Sequence, residues 1–313
     1  MDFELSPDQQ AVVEAVEALL ARHAGPTRAI ALAAKGEYDG ELEEALAEAG
    51  FFELAAGEGT GPLEAALLVE AAARQASVAA VAARALVAPA LLGAADAVAG
   101  PVALVVAGSK APVRFGAHAR TVLVLDGEQA RRATLAAGEG QRVPSNFGYP
   151  MGRIAPAALA RAEPLGPGSG ALLRRWWHVA LAVEIAGSLR AALDVTLDYV
   201  KRRRQFGQAI GSFQAVQHRL AQATVLVEGT RWLALEAAGL GASAERAAVA
   251  AAYAAAAAKQ VFDEAHQFTG AMGFTREHDL HATSMRLQAL RLELGGVGAH
   301  RLAVATARWP VQG

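Results

Sequence analysis

The carboxyl-terminal half of the chain consists of long helical segments joined by short links that carry glycine, and this pattern restricts the fold most. Because short links place successive helices antiparallel and side by side, the segments predict a four-helix bundle. A run of alanines at 247–258 favours a closely packed helix face over a linker. The predicted helices are residues 172–202, 213–240, 244–268 and 282–294.

The amino-terminal third also follows a helical pattern. Ser6 and Gln9 can form a capping box with Pro7 at the first helical position, so a helix is predicted to begin there. Residues 23–26 (His-Ala-Gly-Pro) are predicted to end it. The further helices predicted in this region are residues 41–49, residues 63–88 and a short helix that starts at Pro89.

The middle of the chain differs from both helical regions. Residues 101–106 and 121–125 are short runs rich in valine and leucine, which predict strands. Gly, Pro and Arg are scattered through 108–168, where no long amphipathic helix fits. The predicted fold is therefore mainly α with three parts. These are an N-terminal helical domain (1–100), a reduced middle β domain (101–168) and a C-terminal four-helix-bundle domain (169–313).

The composition excludes several classes of protein. The 313 residues include 29 Lys and Arg against 31 Asp and Glu, a net charge of −2, so no nucleic acid partner is expected. The absence of cysteine excludes disulfides, a thiolate nucleophile and cysteine-ligated zinc. No apolar run reaches the length of a membrane span, and the acidic start lacks the basic region of a secretory signal. A cytoplasmic protein without membrane contact is expected.

Two stretches carry a specific motif. Residues 199–221 contain the pattern R-x-x-F-G-x-x-I-x-x-F-Q-x-x-x-H-x-L-A, and residues 267–281 contain Q-x-x-G-x-x-G-F-x-x-E. Both resemble signatures of the acyl-CoA dehydrogenases, and residues 1–10 are similar to the family's first helix. The resemblance implies the family's order of helices, small β segment and four-helix bundle. It also implies an FAD-dependent oxidoreductase that desaturates an acyl-CoA thioester between its α and β carbons.

The resemblance assigns cofactor contacts to the first motif. Arg203 matches the arginine that meets the FAD pyrophosphate, Gln205 matches a neighbouring polar contact, and Phe206 matches a residue that packs on the cofactor. The planar fork of an arginine suits bidentate contact with phosphate. From the residues alone, the four cations at 201–204 also fit a helix C-terminus, where they complement the helix dipole.

The second motif is implied to complete a neighbouring subunit. Gln267, Gly270 and Gly273 match the family's loop that reaches the FAD of an adjacent chain, so an oligomer is expected. Glycines let backbone N–H groups approach phosphate closely, although an ordinary helix end would also use them. His278 and His281 stand three residues apart, but no third ligand cluster accompanies them, so no metal site is expected.

A member of this family needs one carboxylate to remove the α-proton of the thioester. The usual loop glutamate falls at Leu294 when the following glycine is aligned, and Glu293 is one residue off. A minority of the family carries the base near the position of Trp177. Glu184 lies seven residues further, two turns along the same helix face, in apolar surroundings. Glu184 is the favoured candidate and Glu293 the fallback. A salt bridge from Glu184 to Arg190 or to an arginine of another helix, leaving no base at all, carries comparable weight.

Three functions follow from the resemblance. The first is a complete acyl-CoA dehydrogenase, which takes an acyl-CoA substrate and passes electrons to an electron-transfer flavoprotein. The second is a non-catalytic subunit that helps hold FAD in an α2β2 enzyme, as in actinobacterial heterotetramers of the steroid type. The reduced middle segment and the displaced loop glutamate favour that role. The third is a helical interaction protein without flavin. A homotetramer and a heterotetramer both fit.

Overall fold

The computed structural model describes residues 4–93, 98 and 100–309. Residues 1–3, with which the first-helix motif begins, lie outside the described part of the chain. The described chain is mainly helical, as predicted, and the strands of its two larger sheets lie between the amino-terminal helices and the carboxyl-terminal helices. The helices are α1 (Pro7–His23), α2 (Pro26–Lys35), α3 (Gly40–Glu48), α4 (Pro62–Arg74), α5 (Ala88–Leu92), α6 (Pro156–Ala160), α7 (Ser169–Arg202), α8 (Gln214–Gly239), α9 (Ala244–Thr269), α10 (Leu280–Leu290) and α11 (Gly296–Arg308).

The first helix begins as its sequence predicts. The Gln9 amide donates to the Ser6 hydroxyl at 3.2 Å, and the Ser6 amide donates to the Gln9 side chain at 3.0 Å. Together these bonds complete a capping box with Pro7 at the first turn. The residues that end α1 also start α2, which the sequence reasoning missed. Pro26 supplies the preset φ of a first helical residue, so the same dipeptide ends one helix and begins the next.

The helix predicted over residues 63–88 is two helices. α4 ends at Arg74, and Ala76 adopts a left-handed backbone with φ of +51°. The second helix contains a π-helical turn, Ala83–Val87, that continues directly into α5. Pro89 therefore lies inside a continuous helix and does not start one. Because proline has no amide to donate and its ring clashes with the preceding turn, a departure from regular α-helical hydrogen bonding is expected next to it.

The middle segment contains more strands than the two predicted. The strands are β1 (Val102–Val106), β2 (Val113–Arg114), β3 (Thr121–Asp126), β4 (Gln129–Thr134), β5 (Gly140–Val143), β6 (Met151–Ile154) and β7 (Glu163–Pro167). A four-stranded sheet has the order β1-β3-β4-β7, in which β1 and β3 are parallel and the other pairs are antiparallel. A three-stranded antiparallel sheet has the order β2-β6-β5. The predicted runs are β1 and β3, so both strand predictions are confirmed.

Both faces of the larger sheet are covered. Leu123 and Leu125 of β3 join the helical core, whereas Val122 and Val124 pack with Ala158 of α6 on the other face. This alternation follows from the two-residue period of a strand. The sheet is therefore fixed against the helices, and the residues at its ends have defined positions next to α7.

The carboxyl-terminal helices pack around α7 and α9. Gly187 lets α7 approach α4 closely, because a Cβ at that position would lie 2.2 Å from the Glu70 carbonyl oxygen. The alanine run is buried along α9, as predicted. The predicted end of the last helix, residues 282–294, is wrong. α10 ends at Leu290, and a 3-10 turn, Glu293–Gly295, leads into α11. Gly295 and Gly296 both have positive φ, which allows this sharp break.

Within the described residues, no helix combines the length and the apolar character that crossing a membrane requires.

Candidate functional site

The two candidate bases meet at one arginine. Arg114, at the end of β2, points its guanidinium at α7 and at the turn before α11. Its Nη1 and Nη2 donate to the two carboxylate oxygens of Glu184 at 2.8 and 2.9 Å. Its Nε donates to Glu293, and Nη2 lies 3.4 Å from the second oxygen of Glu293. The side chains of Arg114 and Glu184 are each only 11% exposed, so this is a buried ion-pair cluster.

Glu293 has a second donor in the same place. The indole Nε1 of Trp177 donates to its Oε2 at 2.9 Å. Trp177 and Glu184 lie on one face of α7, as their spacing of seven residues predicts, so both turn towards Arg114. Leu294, which occupies the usual base position by alignment, has a left-handed backbone with φ of +51°. Glu293 therefore reaches the cluster from one residue earlier in the chain.

The two glutamates favour the charged form of Arg114. Burial works against the charge of Arg114, but Glu184 and then Glu293 outweigh it and raise the pKa of Arg114 further above its usual range. Tyr149 packs against the same guanidinium, and the Arg114 Cζ atom lies 4.9 Å from the centroid of the Tyr149 ring. Its pKa is raised to about 12, mainly by burial. The phenol is therefore neutral near pH 7 and acts as a packing surface.

The cluster forms part of the wall of a cleft of about 610 Å³, which we call the central cleft. The cleft lies between β1, α7 and the turn before α11, and most of its walls are apolar. Its polar wall groups include Arg114, Glu184, Glu293 and Arg174. Apolar wall residues are Leu104, Val106, Met151, Ala180 and Leu292. A volume of this size is in the range of small-molecule sites, which is roughly 300 to 1,000 Å³.

The alternative partner considered for Glu184 is engaged elsewhere. Arg190 pairs with Asp194, four residues along α7, and its Nη1 lies 3.7 Å from Glu228. The salt bridge that the sequence left open does exist, but its arginine comes from a strand of the middle segment.

The first motif forms an exposed hairpin after α7. The hairpin strands are β8 (Arg204–Gln205) and β9 (Gln208–Ala209), with Phe206 and Gly207 at the turn. Both turn residues have positive φ, +52° and +82°, as two-residue hairpins prefer. Phe206 is 90% exposed. A phenylalanine in a left-handed conformation and in water is unfavourable on both counts, which indicates a role outside this chain's own folding.

The second motif lies at the same end of the bundle. The Tyr199 ring, one turn before the hairpin, lies 6.0 Å from the ring of His278, just after the glycine loop. Gln267 and Gly270 are exposed, whereas Gly273 is buried. A Cβ on Gly273 would lie 2.1 Å from the Thr269 hydroxyl, so this glycine is needed for packing. Among the described residues, the side chains of Arg203, Gln205 and Gln267 have no hydrogen-bond or ion-pair partner. We call Arg203, Gln205, Phe206 and Gln267 the exposed end.

A comparison with known families decides the relationship of this region. Residues 176–307 match the family described as acyl-CoA dehydrogenase, C-terminal domain.

Residues 176–307 belong to the acyl-CoA dehydrogenase family.

Individual relatives agree with this assignment. Acyl-CoA dehydrogenase FadE34 of Mycobacterium tuberculosis is 40% identical over 124 residues, which cover 38% of this chain and 17% of FadE34. Acyl-CoA dehydrogenase IpdE2 of the same species is 34% identical over 136 residues, or 42% of this chain and 41% of IpdE2. The matched stretches thus span 17% of one relative and 41% of the other, less than half of either.

The whole chain has an acyl-CoA dehydrogenase-like fold. The ChsE4-ChsE5 complex from Mycobacterium tuberculosis includes a chain that superposes with a TM-score of 0.79 and 23% identity. The superposition covers 99% of this chain and 100% of that chain. The fold predicted from the two motifs, mainly α with a small β segment, is therefore confirmed.

Within this acyl-CoA dehydrogenase-like fold, sequence reasoning missed Arg114. The residue lies in a two-residue strand without a periodic pattern and outside both family motifs. Its partners are 70 and 179 residues away in the chain. The only available signal was the buried glutamate itself, since a carboxylate among apolar neighbours requires a cation or a hydrogen-bond donor.

Proposed function

We propose that this chain is a non-catalytic, FAD-holding subunit of an acyl-CoA dehydrogenase built from two kinds of chain. The observation that carries the proposal is the Arg114 cluster. A general base must offer a free oxygen lone pair to the α-proton of the substrate. Both oxygens of Glu184 accept N–H groups from Arg114, and Glu293 accepts from Arg114 and Trp177. Both carboxylates are thereby committed as counter-charges of the Arg114 guanidinium, and transfer of a proton to either would break that pairing.

The exposed end supports the part of the proposal that concerns FAD. Arg203 offers an unpaired guanidinium for a pyrophosphate, and Phe206 offers an exposed ring for packing against the cofactor. Gln205 and Gln267 add side-chain amides. The loop that contains Gly270 and Gly273 directly follows α9, the helix that carries Gln267. These groups fit the phosphate-bearing half of FAD, and they face outwards, which fits a cofactor shared with another chain. When bound, FAD accepts the two electrons that leave the acyl chain.

The second chain then supplies the reacting half of the site. It would provide the free carboxylate, the pocket for the acyl-CoA substrate and the surroundings of the flavin ring. The structural neighbour named above is a complex of two named chains, ChsE4 and ChsE5, which fits a hetero-oligomer of the α2β2 kind. An electron-transfer flavoprotein is the electron acceptor that the family resemblance implies.

One observation favours a second candidate, a complete acyl-CoA dehydrogenase. The central cleft is large enough for a ligand, and both Glu184 and Glu293 line it. In that case substrate binding would have to separate one glutamate from Arg114. Glu184 remains the favoured base of that alternative, with Glu293 second.

The two candidates are distinguished by spectroscopy of the chain alone and paired. The chain is produced alone and together with a full-length acyl-CoA dehydrogenase-like chain from the same organism. Flavin absorbance is recorded before and after addition of acyl-CoA. We expect acyl-CoA to bleach the flavin only in the paired preparation. Bleaching by the lone chain would overturn the proposal in favour of the complete enzyme. If the protein is colourless in both preparations, the result would contradict both candidates and favour the helical interaction protein without flavin.

Two conservative variants test the base directly. In the pair, Glu184→Gln and Glu293→Gln should each keep the rate of bleaching within about twofold, because a glutamine oxygen still accepts from Arg114. Loss of bleaching with retained flavin in either variant would contradict the proposed role. Arg301→Gln changes an exposed residue of α11 and is the matched control. It should form the pair and bleach as the unchanged chain does.

A further inference from the structure

A second cleft of about 240 Å³ lies away from the central cleft, between α2, the β5–β6 hairpin and the start of α10. Three arginines and a histidine line it: Arg142, Arg276, Arg286 and His281. No Asp or Glu is among its lining residues. We call it the arginine cleft. A group of cations without an acid between them is expected to attract an anion.

Arg286 is the buried part of this cleft. The residue is 1% exposed, and its Nη1 donates to the Ser77 carbonyl oxygen at 2.6 Å. Its Nε and Nη2 atoms are buried and have no hydrogen-bond acceptor among the described residues. Its guanidinium carbon lies 4.7 Å from the centroid of the Tyr149 ring. Two charged donors are thus left unsatisfied next to a cavity, an arrangement that is costly unless something binds there.

The surrounding carboxylates do not satisfy these donors. Glu184 acts on Arg286 through space, but Arg114 already binds both of its oxygens. Burial is the main reason that the pKa of Arg286 is lowered. Glu277 acts on His281 but does not line the cleft. A bound anion would therefore compensate a charge that no carboxylate of the described residues pairs with directly.

The remaining cations stand at the mouth of the cleft. Arg142 packs across Gly36, where a Cβ would lie 2.5 Å from the arginine Nε, so the glycine makes room for the guanidinium. Arg276 donates to the side-chain oxygen of Asn146 at 3.3 Å, which holds it against the β5–β6 loop. The pKa of His281 is lowered by burial and by Arg276. At neutral pH this ring donates one N–H without adding a charge.

We propose that the arginine cleft binds a phosphate group, with Arg286 at its buried wall and Arg142 and Arg276 at its mouth. Paired guanidinium forks match the tetrahedral oxygens of phosphate. The volume suits one such group more than a whole nucleotide, since sites for drug-sized ligands start at roughly 300 Å³. The group can be free phosphate or the phosphate end of a larger ester whose remainder lies outside the cleft. The site shares no residue with the exposed end, so it does not depend on the function proposed above.

Calorimetric titration of the full chain with inorganic phosphate tests the proposal, at constant ionic strength set with chloride. We expect saturable binding that weakens about tenfold in Arg276→Gln and in Arg142→Gln, because each change removes charged donors from the anion. Both residues are exposed, so these variants should fold. Arg301→Gln is the matched control and should bind as the unchanged chain does.

Two results would overturn the site. One is the absence of saturable phosphate binding by the unchanged chain. The other is equal weakening in all three variants, which would reflect net charge alone. A parallel titration with adenosine monophosphate separates the two sources: tighter binding than phosphate supports an ester, and weaker binding supports the free ion. Phosphate should also raise the melting temperature of the unchanged chain more than that of Arg276→Gln.

Discussion

The central cleft and the exposed end carry similar polar side chains but hold them in opposite ways. In the cleft, Arg114 pairs with two carboxylates of its own chain, and none of the three side chains is more than 20% exposed. At the exposed end, Arg203 and Gln267 have no partner within the described part of the chain. The first set of groups is therefore satisfied within this subunit, whereas the second set is available to another molecule. This difference indicates that the polar groups of the central cleft find their partners within the chain, whereas those of the exposed end require a partner from another molecule.

The largest expected effect comes from removing the cation of the cleft. Arg114→Met should lower the free energy of unfolding by about 3 to 5 kcal/mol, because it leaves two buried carboxylates without a counter-charge. Urea unfolding at pH 7, followed by circular dichroism, measures this change.

A second variant keeps that test informative if Arg114→Met does not fold. Adding Glu184→Gln and Glu293→Gln to Arg114→Met removes the unpaired charges and should recover most of the lost stability. A loss of less than about 1 kcal/mol in Arg114→Met would mean that the cluster is open to water, and the contrast with the exposed end would fail.

The next effect concerns the protonation of the buried histidines beside the cleft. His178 packs edge-on against His300 with ring centroids 5.1 Å apart. Burial, then His300 and Arg174, lower the pKa of His178 to about 3. The unfolded chain, with a histidine pKa of about 6.5, binds a proton at a pH where the folded chain does not. Stability from His178 is therefore fully present above pH 6.5 and is lost as the pH falls towards 3.

The predicted size follows from the same linkage. Between pH 7 and pH 4.5 the unchanged chain should lose about 2 to 3 kcal/mol through His178, and a His178→Gln variant should lack that part of the loss. Urea unfolding across this range measures both slopes. Identical slopes in the two proteins would show that His178 titrates normally and that this part of the interior is not dry. His218→Gln, an exposed histidine on α8, is the control.

The contrast between the two regions also marks what the sequence could predict. The helices follow from repeated local patterns: the capping box at Ser6 and the alanine face of α9 both involve neighbours along the chain. The residues of the exposed end were likewise identified from two continuous motifs, and their roles towards FAD remain predictions.

The cluster of the central cleft could not be predicted in the same way. The contact of Arg114 with Glu293 joins residues 179 positions apart, and it depends on how a two-residue strand is held against α7. No local pattern encodes such a contact. Glu184 could be recognised as a buried carboxylate that needed a partner, but the sequence offered Arg190 as readily as Arg114. The break between α10 and α11 was missed because paired glycines there look like part of a loop that follows a helix.

The smallest effect on folding is expected at the exposed end, where the effect on binding should be clear. Arg203→Gln removes a solvated cation that has no partner among the described residues, so the free energy of unfolding should change by less than about 0.5 kcal/mol. In the paired preparation, however, FAD should be released about tenfold more readily, because a charged donor to the pyrophosphate is lost. Equilibrium dialysis of the flavin measures the release, and urea unfolding of the lone chain measures the stability. A stability loss comparable to that of Arg114→Met would show that Arg203 serves this chain's own fold. Flavin retention equal to that of the Arg301→Gln control would show that Arg203 does not bind the cofactor, and either result would remove the contrast with the central cleft.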